Sequence, residues 1–270
     1  MMPMDSHGEI LIFDLVGKFA HFRKFYTNSS SLSYHFPPRT AIEGIISAML
    51  GQERDSYYDL FLPTKSKIAV STRTQTRSIM QTVNYLSVKS LGDLSGRGPR
   101  TQVPIEIITS DSIYEDLRYR VYFYHEDVSL TKELEERIKQ STFHYPTSFG
   151  LANFLCSVDF VGWGTFQKQL FSPDTKPSWN VVTPIPVSAL RHFGILSLKD
   201  EDTYSYGFVQ DIFPFHFEGN RKLGKNMKLL YHKNFAPIRV TTSEKLRVIE
   251  YNEGKSQKTE AIVFLEEWSE

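Results

Sequence analysis

Two stretches decide the fold: Ile10-Leu11-Ile12-Phe13-Asp14-Leu15-Val16 and, after Pro37 and Pro38, Thr40-Ala41-Ile42-Glu43-Gly44-Ile45-Ile46-Ser47-Ala48-Met49-Leu50-Gly51. The first is nearly continuous in apolar residues, as expected of a central strand covered on both faces. In the second, Ile42, Ile45, Ile46, Met49 and Leu50 make one apolar helical stripe, and Gly51 stops it. Thr40 and Glu43 have the spacing of a capping box, and the two prolines bar an earlier start.

Working outward, Lys67 to Arg77 reads with period two, Ile68, Val70, Thr72, Thr74 and Thr76 on one face and Ser71, Arg73, Gln75 and Arg77 on the other. This predicts one strand with a cationic face. A second strand is expected near Val103 to Ile108. Between them Gly92-Asp93-Leu94-Ser95-Gly96-Arg97-Gly98-Pro99-Arg100 reads as a basic loop or hairpin tip. Tyr119 to His125 alternates again, Tyr119, Val121 and Phe123 sharing a face. Leu130, Leu134 and Ile138 mark a helix, and Phe154 to Val161 another strand.

The order strand, helix, strand, hairpin, strand, helix, strand predicts an α+β class with an open antiparallel sheet and two helices on one face. This is the ferredoxin-like plan shared by RNA-recognition modules. Pro173, Pro177, Pro184 and Pro186 interrupt regular structure, so a domain boundary is expected there: 1–170 as the first domain, 171–270 as a smaller strand-rich one. The C-terminal part alternates over Ile238 to Tyr251 and has an apolar run from Ala261 to Leu265.

The 270 residues include 31 Lys plus Arg and 31 Asp plus Glu, which excludes a simple polycationic coat for nucleic acid. One cysteine, Cys156, excludes an internal disulfide and a cysteine-rich metal site. No apolar run reaches the roughly 18 residues of a membrane span, and the first nine residues are polar; a soluble cytoplasmic protein is expected.

Charge is nevertheless segregated. Between Val16 and Ile42 there is no acid, while Lys18, Arg23, Lys24 and Arg39 interleave with Phe22, Phe25, Tyr26, Tyr34 and Phe36. Phosphate binding requires the first kind of side chain and base stacking the second. A solvated loop tucked over the core by its aromatics would show the same pattern. From Lys65 to Gln102 seven cations, Lys65, Lys67, Arg73, Arg77, Lys89, Arg97 and Arg100, face the single acid Asp93. From Glu106 to Glu136 nine acids face Arg118, Arg120 and Lys132. A third basic stretch holds Arg221, Lys222, Lys225, Lys228 and Lys233 without an acid. Three basic stretches in one neutral chain point to a nucleic-acid groove.

No histidine spacing suits a metal, and Gly162-Trp163-Gly164 lacks a phosphate-loop pattern. Neither a metal nor another cofactor is expected. Tyr34-His35 and Tyr231-His232, with Lys233, are the side chains available for metal-free RNA cleavage; the bland reading is that they are structural.

Phe13 to Lys24, followed by Ser31-Leu32-Ser33-Tyr34-His35-Phe36-Pro37-Pro38-Arg39-Thr40-Ala41-Ile42-Glu43-Gly44-Ile45-Ile46, resembles the opening of the CRISPR-associated protein five family, a branch of the RAMP superfamily. Arg73-Thr74-Gln75-Thr76 with the glycine-rich basic hairpin extends the match to about Val103, and Tyr145-Pro146-Thr147-Ser148-Phe149-Gly150-Leu151 resembles a further family segment.

The resemblance implies a ferredoxin-like domain with a hairpin thumb near 88–103, in a subunit of a type I Cascade surveillance complex; length and motif style point to subtype I-B. Such subunits hold the 5′ handle of crRNA and cap the backbone-subunit filament beside the large subunit. Contact with target DNA is indirect. One branch cleaves precursor crRNA with a Tyr, a Lys and a neighbouring His. Here that region has no Lys-His pair and no His between His35 and His125, so no catalytic residue is assigned. The expected RNA-binding residues are Lys18, Arg23, Lys24, Tyr34, Arg39, Arg73, Arg77, Lys89, Arg97, Arg100, Arg221, Lys222 and Lys225. A metal-independent endoribonuclease and a protein-interaction module without RNA contact are the rival readings.

Overall fold

The computed structural model describes residues 9–27, 30–96, 98–167, 178–192, 207–241 and 245–268. In chain order the N-terminal half holds β1 (Glu9–Gly17), β2 (Phe19–Ala20), β3 (Phe22–Arg23), β4 (Ser33–Tyr34), α1 (Arg39–Leu50), β5 (Ser66–Thr72), β6 (Thr76–Leu86), β7 (Arg100–Ser110), β8 (Leu117–His125) and α2 (Val128–Gln140). There follow β9 (Ser157–Phe166), β10 (Ser178–Val181), β11 (Ile185–Pro186), β12 (Phe208–Glu218), β13 (Lys222–His232), β14 (Ile238–Thr241), β15 (Arg247–Glu253) and β16 (Ser256–Ile262).

An eight-stranded sheet runs β14-β10-β16-β15-β9-β1-β8-β5. Its β9-β1-β8-β5 part is antiparallel throughout, with α1 following β1 and α2 following β8. As its apolar run requires, β1 is buried on both faces. Leu11, Phe13 and Leu15 pack with Ile42, Ile45, Ile46 and Met49 of α1 and Leu134 and Ile138 of α2. Ile10 and Ile12 pack on the other face with Tyr122, Ile249, Tyr251, Ile262 and Phe264, because the sheet curls its far strands back over β1 and β8. Tyr119, Val121 and Phe123 of β8 join the helix side, as their alternation predicts. Helix α2 is capped by Asp127, whose carboxylate accepts from the amides of Ser129 and Leu130.

Three expectations are corrected. Helix α1 begins at Arg39 with Pro38 at its N-cap and no side-chain cap; Thr40 therefore lies inside the first turn, and Glu43 is occupied by Arg39. The alternating run from Lys67 to Arg77 is two strands in two sheets. β5 pairs with β8, whereas β6 pairs with β7 over eleven residues from Thr76↔Ser110 to Leu86↔Arg100. Buried Thr74, donating to the Asp116 carbonyl, sits at the crossing, and alternation is blind to such a change of sheet.

The segment at 88–103 is the end of a longer arm, β6–β7, closed by a 3-10 turn at Leu91–Ser95. Ser90 and Asp93 form a capping box there, and Gly96 follows in the left-handed region. The expected C-terminal part has a core cluster of its own, with Val181, Ile185, Val240, Val248 and Trp268, and it is also joined to the N-terminal part. β15 pairs with β9, continuing the N-terminal sheet, and Phe213, Phe215, Met227, Leu229 and Tyr231 of β12–β13 pack into the same core as α1. Pro173 and Pro177 lie outside the described residues.

Candidate nucleic-acid interface

The segment from His21 to Tyr34 is bonded on one side to the β6–β7 arm and on the other to the β12–β13 hairpin. On the arm side the buried His21 ring meets the Glu106 carbonyl through Nδ1 at 2.8 Å and Ser31 Oγ through Nε2 at 2.9 Å. The Ser31 amide donates to the Pro104 carbonyl, the Glu106 amide to the Ser31 carbonyl, and the Ser33 amide to the Glu106 carboxylate. Burial holds the His21 pKa below its ordinary value, so at neutral pH it works as a neutral connector.

On the hairpin side Lys24 Nζ lies 2.7 Å from Asp211 Oδ2, the Tyr26 hydroxyl donates to Oδ1 of the same carboxylate, and the Tyr34 hydroxyl donates to the Ile212 carbonyl. Tyr34 is fully buried and stacks on Phe213 at 4.2 Å. From below, the His21 amide donates to the Phe149 carbonyl. Gly150, at φ +88°, comes so close to the His21 carbonyl that a Cβ would lie 2.0 Å from the oxygen. That contact explains the glycine of Tyr145 to Leu151.

The segment thereby presents Arg23, Phe25 and Tyr26 to solvent between two hairpins, the two rings 42% and 46% exposed. At the foot of the arm, in the three-stranded sheet β2-β7-β6, Phe19 pairs with Thr109 and Thr109 with Arg77. Exposed Arg77 and exposed Lys18 therefore share that foot, Thr109 Oγ1 donating to the Lys18 carbonyl. The arrangement sets cations that have no ion-pair partner among the described residues beside exposed aromatic faces, a combination suited to a single-stranded nucleic acid.

Four of the expected contact residues are committed elsewhere. The Arg39 guanidinium is buried between Glu43 and Glu266 and donates to five acceptors, those two carboxylates, the carbonyls of Phe61 and Phe215, and Ser66 Oγ. Burial opposes its charge, yet the two carboxylates outweigh that and raise its pKa. Arg73 lies 2.7 Å from Glu260 and 2.6 Å from the Tyr122 hydroxyl, beyond the end of β5 and away from Arg77. Lys24 is neutralised by Asp211, and Tyr34 is core. Arg39 and Tyr34 are buried, whereas Lys24 and Arg73 are half-buried and ion-paired to half-buried carboxylates.

Lys18, Arg23, Arg77, Lys89, Arg100, Arg221, Lys222 and Lys225 are exposed. Arg221 lies 3.5 Å from Asp55 and Lys222 4.0 Å from Glu218, both loose surface contacts. Arg97 lies outside the described residues. The second hairpin stands apart from the arm in sequence.

Asp211 and the exposed state of Phe25, Tyr26 and Phe19 escape sequence reasoning. Interleaving picked out the two aromatics at 25 and 26 without separating them from buried Phe22 and Phe36; Asp211, 187 residues from Lys24, has no local signal. Tyr34 and Tyr231 both have phenol pKa values raised by burial and by Asp211.

The fold and site define an α+β protein with a curled sheet, a projecting two-stranded arm and an exposed basic and aromatic segment at the arm's foot. The family model described as CRISPR-associated protein (Cas_Cas5) matches residues 10–154, and the chain belongs to that family. Among solved structures it is similar to a chain of a CRISPR RNA-guided surveillance complex, with 11% identity, TM-score 0.44, and 86% of this chain and 91% of that one covered. A CRISPR protein from Archaeoglobus fulgidus is similar at 12% identity and TM-score 0.48, covering 94% and 99%. A chain of the Type III-B Cmr-beta complex bound to cognate target RNA is similar at 9% identity and TM-score 0.49, covering 85% and 86%. No curated protein sequence matches. Among the described residues no helix is long and apolar enough to cross a membrane, and no group of three or more His, Cys, Asp or Glu side chains is placed to hold a metal ion.

Proposed function

We propose that the chain is a non-catalytic subunit of a type I CRISPR surveillance complex and that it binds the 5′ handle of crRNA, supporting RNA-guided binding of foreign DNA. In this reading it caps the filament of backbone subunits beside the large subunit, in a complex of subtype I-B. The strand order β9-β1-β8-β5 with its two helices supports the ferredoxin-like plan, and the β6–β7 arm supports the reading of a thumb. The observation that carries the reading is the exposed set Lys18, Arg23, Phe25, Tyr26 and Arg77, held in place by two hairpins while neighbouring cations are neutralised. A sequence-defined single strand needs phosphate contacts for affinity and stacked bases for identity, and this surface offers both.

The test is fluorescence anisotropy of a labelled repeat-derived RNA with the purified chain across a salt series. Wild-type affinity should fall steeply with salt, and Arg23→Glu with Arg77→Glu should lower the logarithmic slope by about 1 to 2. An unchanged affinity and slope in the double variant would remove the site. Incubation with repeat RNA in chelator, read on a denaturing gel, tests the non-catalytic assignment: intact RNA is expected, and a discrete cleavage product favours the endoribonuclease.

A further inference from the structure

The loop between β7 and β8, Asp111-Ser112-Ile113-Tyr114-Glu115-Asp116, exposes its two large apolar side chains almost completely, Ile113 at 81% and Tyr114 at 91%. It is a built loop. The Asp111 amide donates to the Gln75 carbonyl at 2.9 Å, and buried Thr74 donates through Oγ1 to the Asp116 carbonyl at 3.0 Å. Within it the Ser112 amide donates to Ser110 Oγ and the Tyr114 amide to Ser112 Oγ. A ligand meeting this loop therefore has little ordering left to impose. Asp111, Glu115 and Asp116 are all exposed, and none has an ion-pair partner among the described residues. Nearby, Phe19 is 44% and Leu155 61% exposed, and the Leu155 carbonyl lies against Gly17, which pairs with Leu117 at the end of the loop.

An apolar pair rimmed by three carboxylates repels a polyanion and suits a protein, tyrosine being among the residues that anchor interfaces. We infer that this loop is a docking surface for a protein subunit whose facing surface is cationic and offers an apolar pocket. The sign follows from complementarity, and this step rests on the proposed function: a neighbour that shares the bound RNA must itself present cations, and the acidic rim steers such a surface into register. The loop and the RNA-facing segment are thus separate parts of one end of the molecule, sorted by charge.

The test uses the ribonucleoprotein purified through a tag on this chain after co-expression with the proteins of the complex and a repeat-containing RNA. Tyr114→p-benzoylphenylalanine is irradiated in that assembly, and Ile113→Ser with Tyr114→Ser is compared with wild type for retained protein. We expect an adduct on one protein subunit, mapped to a Lys- or Arg-rich peptide, and at least a tenfold loss of that subunit in the double variant. The isolated variant should keep its melting temperature and its affinity for labelled repeat RNA. An adduct on RNA, no adduct in the intact assembly, or full retention of every subunit by the double variant overturns the inference and leaves the RNA-binding reading standing. A wild-type chain that retains neither RNA nor protein overturns both.

Discussion

Arg39→Ala removes the guanidinium that bonds both Glu43 and Glu266, both of which are buried with it. Breaking a buried pair from one side costs about 3 to 5 kcal/mol, because the remaining buried charge loses the opposite charge that offset its desolvation. At roughly 2 to 4 °C per kcal/mol for a chain of this size, the melting temperature should fall by about 6 to 20 °C. The loss should depend on pH. Burial pushes the Glu43 carboxyl up to about 7 against the pull of Arg39, with Glu266 pushing in the same direction, and burial raises Glu266 too.

A carboxyl raised on folding binds protons more tightly in the folded state. Its contribution is therefore greatest below the unfolded value, near 4.5 for Glu43, and is lost as pH rises towards about 7. Without the guanidinium both carboxyls should rise further, so the gap between wild type and Arg39→Ala should widen from pH 5 to pH 8. Thermal and urea melts at both pH values measure it, with Glu43→Gln and Glu266→Gln added to Arg39→Met as the rescue. A variant that melts with wild type, or a gap that is equal at both pH values, refutes the assignment. So does loss of RNA binding at full stability, which would return Arg39 to the RNA site.

Gly150→Ala should destabilise by about 2 kcal/mol or more, since it combines a left-handed backbone with a Cβ 2.0 Å from the His21 carbonyl oxygen; a melting temperature within a degree of wild type contradicts this. Asp211→Asn should cost roughly 1 to 2 kcal/mol of stability by weakening the bonds from Lys24 and Tyr26. The same change should tighten binding of labelled RNA at low salt, because Lys24 is freed; weaker binding would show that Asp211 holds a required geometry. Thr40→Ala should lower stability by under about 0.5 kcal/mol through any lost cap, because Thr40 caps nothing, and a loss near 1 kcal/mol in chemical denaturation would restore the capping box.

The sequence by itself determined the elements whose physics is local. The apolar run of β1, the stripe of α1, the alternation of β8 and the Leu134 and Ile138 positions of α2 each state which face is buried, and each is buried so. Periodicity reports a side chain's direction relative to its own neighbours, and the core follows from it. It does not report which strand lies alongside. Lys67 to Arg77 kept one alternation across a change of sheet, and the β9–β15 pairing carries one sheet through an expected domain boundary.

Only the tertiary structure decided the charges. Arg39 meets Glu266 across 227 residues, Arg73 meets Glu260 across 187, and Lys24 meets Asp211 across 187. A basic stretch can be counted in the sequence, but whether each cation is free or paired depends on a carboxylate brought in by a distant strand. Arg23 and Arg77 therefore stay exposed while Lys24, Arg39 and Arg73 are held by distant carboxylates, a division that composition and spacing do not contain because Coulomb attraction acts through space rather than along the chain.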